Sequence, residues 1–121
     1  MTHVRALALG ASLLAISAVP AAAHTTVSAS KPAANATVAV LPASISVTFD
    51  ARLLRVERVI LTPPSGKNAV RSFAINAKNK RQLVIKTKRA GSGQYNLYWK
   101  VTGADGHTIT GRLRFKTTRA S

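Results

Sequence analysis

Gln94-Tyr95-Asn96-Leu97-Tyr98-Trp99-Lys100-Val101-Thr102 alternates without a break. Tyr95, Leu97, Trp99 and Val101 fall on one side, and Asn96, Tyr98, Lys100 and Thr102 on the other. A period of two predicts a β-strand with one buried face. The stretch is followed by Gly103-Ala104-Asp105-Gly106, a turn signal. From His107 the alternation resumes: His107, Ile109, Gly111, Leu113 and Phe115 share one parity, and Thr108, Thr110, Arg112, Arg114 and Lys116 the other. The last strand is therefore expected to be apolar on one side and basic on the other.

The same pattern recurs upstream. Ile45-Ser46-Val47-Thr48-Phe49 alternates strictly, with Ile45, Val47 and Phe49 inward. Val56 to Thr62 reads as a strand with Val59 and Leu61 inward, and Gln82 to Thr87 as one with Leu83 and Ile85 inward. Thr25 to Ser30 and Ala69 to Ile75 complete the set. Asp50 to Arg55 reads as a connection, partly packed through its two leucines, and residues 76–81 as a basic polar loop. Lys31 to Thr37 reads as a turn, with Pro32 fixing φ and Asn35 tolerating a left-handed position. No segment after residue 23 has helical periodicity. Seven short strands separated by turn signals predict an all-β, immunoglobulin-like sandwich or barrel with Greek-key connections.

Residues 1–23 read as a cleaved secretory signal peptide, helical in its apolar part. Arg5 supplies the positive start, Leu7 to Val19 is an apolar run, and Ala21-Ala22-Ala23 offers a cleavage site. The run is short for a membrane-spanning helix. Cleavage would leave one domain, residues 24–121, beginning at His24 and exported to the periplasm. With no cysteine in the sequence, no disulfide staples it.

The chain holds 18 Lys and Arg against three Asp and Glu, a net charge of +15. Loss of Arg5 with the leader would leave 17 against three, or +14. Such a charge favours anionic surfaces, and export argues against nucleic acid as a specific partner.

Asp105 and His107 stand two apart, so in an extended chain both project to one face. A newly exposed His24 would add an imidazole and an α-amine able to close a chelate ring on one metal ion. Three nitrogens and a carboxylate oxygen suit tetragonal Cu(II), which also leads the divalent affinity order. The same residues have a plainer reading: Asp105-Gly106 as a turn, with Asp105 bonding its own backbone, and His107 as the head of a strand.

The sequence from His24 on resembles the CopC family of periplasmic copper-binding proteins. The likeness rests on His24, on 31–38, on 42–49, on Tyr95–Val101, and on Ala104-Asp105-Gly106-His107-Thr108-Ile109-Thr110-Gly111 followed by Phe115. It implies a seven-stranded Greek-key fold and one Cu(II) per chain, held by His24, Asp105 and His107. Some members carry a methionine-rich Cu(I) site as well. The only methionine here is Met1, so the resemblance is to the Cu(II)-only type. The implied role is copper buffering, resistance or delivery by a monomer to an inner-membrane transporter of the CopD type.

Two other functions fit part of the sequence. One is a metal-free immunoglobulin-like module that interacts through its basic face. The other is a small copper enzyme, since an N-terminal histidine and a second histidine resemble the histidine brace of lytic polysaccharide monooxygenases. The chain is small for a polysaccharide surface, and Asp105 as a ligand would occupy the position oxygen needs. The reading is thus of a binding protein, not an enzyme.

Overall fold

A computed structural model describes residues 26–121. The expected signal peptide, residues 1–23, and His24 lie outside the described residues. Eight strands follow one another: β1 (Val27–Lys31), β2 (Thr37–Val38), β3 (Ser44–Phe49), β4 (Leu53–Thr62), β5 (Val70–Asn76), β6 (Asn79–Thr87), β7 (Gly93–Gly103) and β8 (Thr108–Thr117). They form two four-stranded sheets, ordered β1-β3-β6-β5 and β2-β8-β7-β4. The β3–β4, β4–β5 and β6–β7 connections each carry the chain from one sheet to the other.

The alternation decides which side of each sheet is covered. Ile45, Val47, Leu61, Leu83, Ile85, Tyr95, Leu97 and Val101 are fully buried between the sheets, with Phe49 and Phe115 at 1% exposure. Each such aliphatic or Phe side chain contributes roughly 1.5–3 kcal/mol relative to exposure. With no disulfide, this core carries the stability. The aromatics order it: the Tyr95 and Phe115 rings stack 5.3 Å apart, and Phe49 meets Trp99 edge-on at 5.9 Å.

Trp99 and Gly111 face each other across β7 and β8. A Cβ built on Gly111 would sit 2.5 Å from Cε2 and 2.7 Å from Nε1 of Trp99. Gly111 is needed here because the indole occupies the volume its side chain would fill.

Three boundaries differ from the sequence expectation. A two-residue strand, β2, runs parallel to β8 through Thr37–Lys116 and Val38–Thr117; two residues are too few for alternation to register, so the segment read as turn only. The loop expected over 76–81 shrinks to Ala77-Lys78, because Asn76 Oδ1 accepts from Lys78 N–H and Asn79 Oδ1 from Arg81 N–H. β4 starts at Leu53, not Val56, and carries two bulges opposite β7. As neighbours on a strand its two leucines face opposite ways: Leu53 is buried and Leu54 is 55% exposed.

Candidate metal centre

β7 ends at Gly103 and β8 begins at Thr108, so the Ala104–His107 segment is a connection at one end of the sandwich. Gly106 N–H donates to Gly103 C=O at 2.9 Å, and Gly103 N–H donates to His107 C=O at 2.9 Å. Gly106 has φ of +90°, a conformation open to glycine and costly for a side chain. Asp105 Oδ1 accepts the backbone N–H of His107 at 3.0 Å, and Asp105 Oδ2 lies 3.1 Å from His107 Nδ1. The stretch adopts the turn that the plainer sequence reading expects. It is a turn in which Asp105 bonds the local backbone, and the turn, not an extended strand, brings carboxylate and imidazole together.

The pair is open to solvent, with side-chain exposures of 76% for His107 and 59% for Asp105. The His107 backbone N–H, and then its ring, hold the Asp105 carboxyl below its ordinary range. Asp105 Oδ2 and His107 Nδ1 thus present a carboxylate oxygen and a ring nitrogen side by side. Two donors are not a complete site. Among the described residues, no three His, Cys, Asp or Glu side chains converge, and His24 lies outside them.

The end of the sandwich that carries this turn also receives the start of β1. Thr26 N–H donates to Asp50 Oδ1 at 3.0 Å, Thr26 Oγ1 donates to Asp50 Oδ2 at 2.6 Å, and Asp50 N–H returns a bond to Thr26 C=O at 2.9 Å. The Thr26 hydroxyl is the main reason the Asp50 carboxyl is held low. Two residues on, Arg52 C=O accepts from Ala104 N–H at 2.9 Å. Asp50 and Arg52 thus tie Thr26 and Ala104 to one short connection. The sequence reading of residues 50–55 as a connection missed this clamp, since Thr26 stands 24 residues from Asp50.

Replacing Asp50 with alanine is expected to raise hydrogen-exchange rates of the β1 amides severalfold while leaving those of β7 unchanged. Unchanged β1 protection would show that the clamp does not hold the strand.

Glu57, the remaining acid, accepts from Thr102 Oγ1 and from Arg55 Nε, both at 2.7 Å. The Thr102 hydroxyl is the main cause of its lowered pKa. It projects from a β4 bulge and has no part in the turn.

The model of the CopC domain matches residues 27–118. Among solved structures, the fold is similar to that of CopC from Methylosinus trichosporium OB3b, with a TM-score of 0.67 and 23% identity over 78% of this chain and 93% of that one. It is also similar to PcoC of Escherichia coli, described as a methionine-rich copper resistance protein, with a TM-score of 0.63 and 22% identity over 78% and 99%. No curated relative matches by sequence. At these identities the structural likeness is one of fold. The family match spans both sheets and the Asp105–His107 turn, and this chain belongs to the CopC domain family.

Proposed function

We propose that the chain binds one Cu(II) ion through the α-amine and imidazole of His24, the imidazole of His107 and the carboxylate of Asp105. The observation that carries the reading is the double tie at one end of the sandwich. Thr26 is fixed to Asp50 and Ala104 to Arg52, and two residues of chain span at most about 7 Å. An N-terminus created before His24 would open at the end that bears Asp105 and His107. The donor set is nitrogen-rich and free of sulfur, which suits Cu(II) over Cu(I). The single methionine, Met1, sets the chain apart from the methionine-rich PcoC and supports a Cu(II)-only site. The chain would act as a monomer in the periplasm, buffering Cu(II) or passing it to an inner-membrane transporter of the CopD type.

Acid tests the ligand set. Cu(II) must displace protons from an amine with a reference pKa of about 8 and imidazoles of about 6.5. Asp105, held below the usual carboxylate range by His107, stays ionised where the nitrogens protonate. Affinity is therefore expected to fall steeply below about pH 6, as read by titration against a competing chelator. Binding unchanged down to about pH 4 would overturn the nitrogen ligands.

A further inference from the structure

One sheet of this chain gathers a continuous patch of cations on its outer face. On the outer face of the β2-β8-β7-β4 sheet, the register sets Arg58 opposite Lys100, Tyr98 opposite Arg112, Asn96 opposite Arg114, and Gln94 opposite Lys116. The five cations are exposed. The strands of the other sheet carry Lys31, Arg71, Lys80, Arg81 and Lys86, set among Ser, Thr, Gln, Ala and Val.

One carboxylate, Glu57, stands beside the five, and it leaves most of their charge unanswered. The sequence has three acids. Asp50 is held by Thr26 and Asp105 by His107, while Glu57, bonded to Thr102 and Arg55, lies beside Arg58 and Lys100 and leaves Arg112, Arg114 and Lys116 without a carboxylate. Like charges directly opposite one another on a sheet are unfavourable, and Arg58 and Lys100 stand in that relation. The fold thus maintains a repulsive array that a wide anionic partner would relieve.

We propose that this sheet face docks on the anionic head groups of a membrane. Its shape separates the candidates. Three of the cations run along β8 about 7 Å apart, and Lys100 and Arg58 widen the patch across β7 and β4, a breadth that suits a lipid surface better than a single line of phosphates. Single-stranded nucleic acid is held by open aromatic faces on which bases stack. The aromatic on this face, Tyr98, is half-buried, and the Arg112 guanidinium covers its ring at 5.2 Å. A tyrosine among cations does suit the head-group layer of a bilayer. The Asp105–His107 turn lies off the end of β7 and β8, five residues and about 17 Å from Arg112. A face-down chain would keep that turn at the membrane surface without covering it. The inference does not depend on the copper reading.

The test is co-sedimentation with vesicles made of equal parts phosphatidylglycerol and phosphatidylcholine, without metal. Binding is expected at low ionic strength and should be lost at about 1 M salt, where screening falls to roughly 3 Å. A cation beside an anionic surface is worth roughly a fivefold gain in partition. The double variant Arg112→Gln, Arg114→Gln should therefore bind about 25-fold more weakly. Arg58→Gln with Lys100→Gln should match it, which guards against an effect of losing the Arg112–Tyr98 contact. The control Arg71→Gln with Lys88→Gln removes the same charge elsewhere and should change binding far less. Equal losses in all three variants, or binding indifferent to salt, would overturn the proposal. So would tighter binding of a single-stranded oligonucleotide that also depended on Arg112 and Arg114, which would assign the face to nucleic acid.

Discussion

His107→Ala is expected to weaken Cu(II) binding by more than about 100-fold, since losing even an outer-shell partner of a metal ligand costs 10–100-fold. Keeping Ala23 attached ahead of His24 should have an effect of similar size. An amide nitrogen in place of the free amine cannot close the same chelate without giving up its proton. The two changes should not multiply fully when combined, because each leaves an incomplete site. Neither should disturb the fold. The His107 side chain is mostly exposed, and surface substitutions of this kind usually stay within about 0.5 kcal/mol. A competition titration beside a thermal melt separates the two effects. Loss of copper binding with an unchanged melt supports the ligand role. Retention of full affinity in His107→Ala would remove His107 from the site.

The largest stability effect is expected at Gly111. In Gly111→Ala the new methyl meets the indole of Trp99, itself only 4% exposed and packed edge-on against Phe49. Neither ring has room to retreat, so the cost should reach the upper part of the 1–3 kcal/mol typical of overpacked cores. For a domain of this size that is a fall in Tm of roughly 10–20 °C. Trp99→Leu in the same chain should recover part of the loss, because the smaller side chain leaves the methyl space. An unchanged Tm in Gly111→Ala would mean that Trp99 can move aside at no cost and that the Gly-x-x-x-Phe pattern has another origin.

The strands that alternate were legible because burial and solvent exposure write themselves directly into a period of two. Ile45, Val47, Phe49, Leu83, Ile85 and the inward face of β7 all lie where that pattern put them. What escaped it has local causes. The Thr37-Val38 bridge is shorter than any pattern. The β4 bulges break the period, so the strand read as starting at Val56. The hairpin at Ala77-Lys78 is set by asparagine side chains bonding to backbone two residues on.

The site was legible in part. Asp105, Gly106 and His107 advertise both a turn and a donor pair, and the structure joins the two. The Thr26–Asp50 clamp was not readable, because one carboxylate in a basic chain gives no sign of a hydroxyl partner half a sandwich away in sequence. The patch of cations on one sheet was visible on β8 as alternating Arg and Lys. Its extension through Lys100 and Arg58 needed the register.

The most direct test of the copper account is an EPR-monitored Cu(II) titration of exported protein whose first residue is confirmed as His24. The account predicts a single tetragonal species that saturates at one equivalent and shows nitrogen hyperfine structure. A spectrum no different from free Cu(II) would contradict it, and would leave the Asp105–His107 segment as a turn alone.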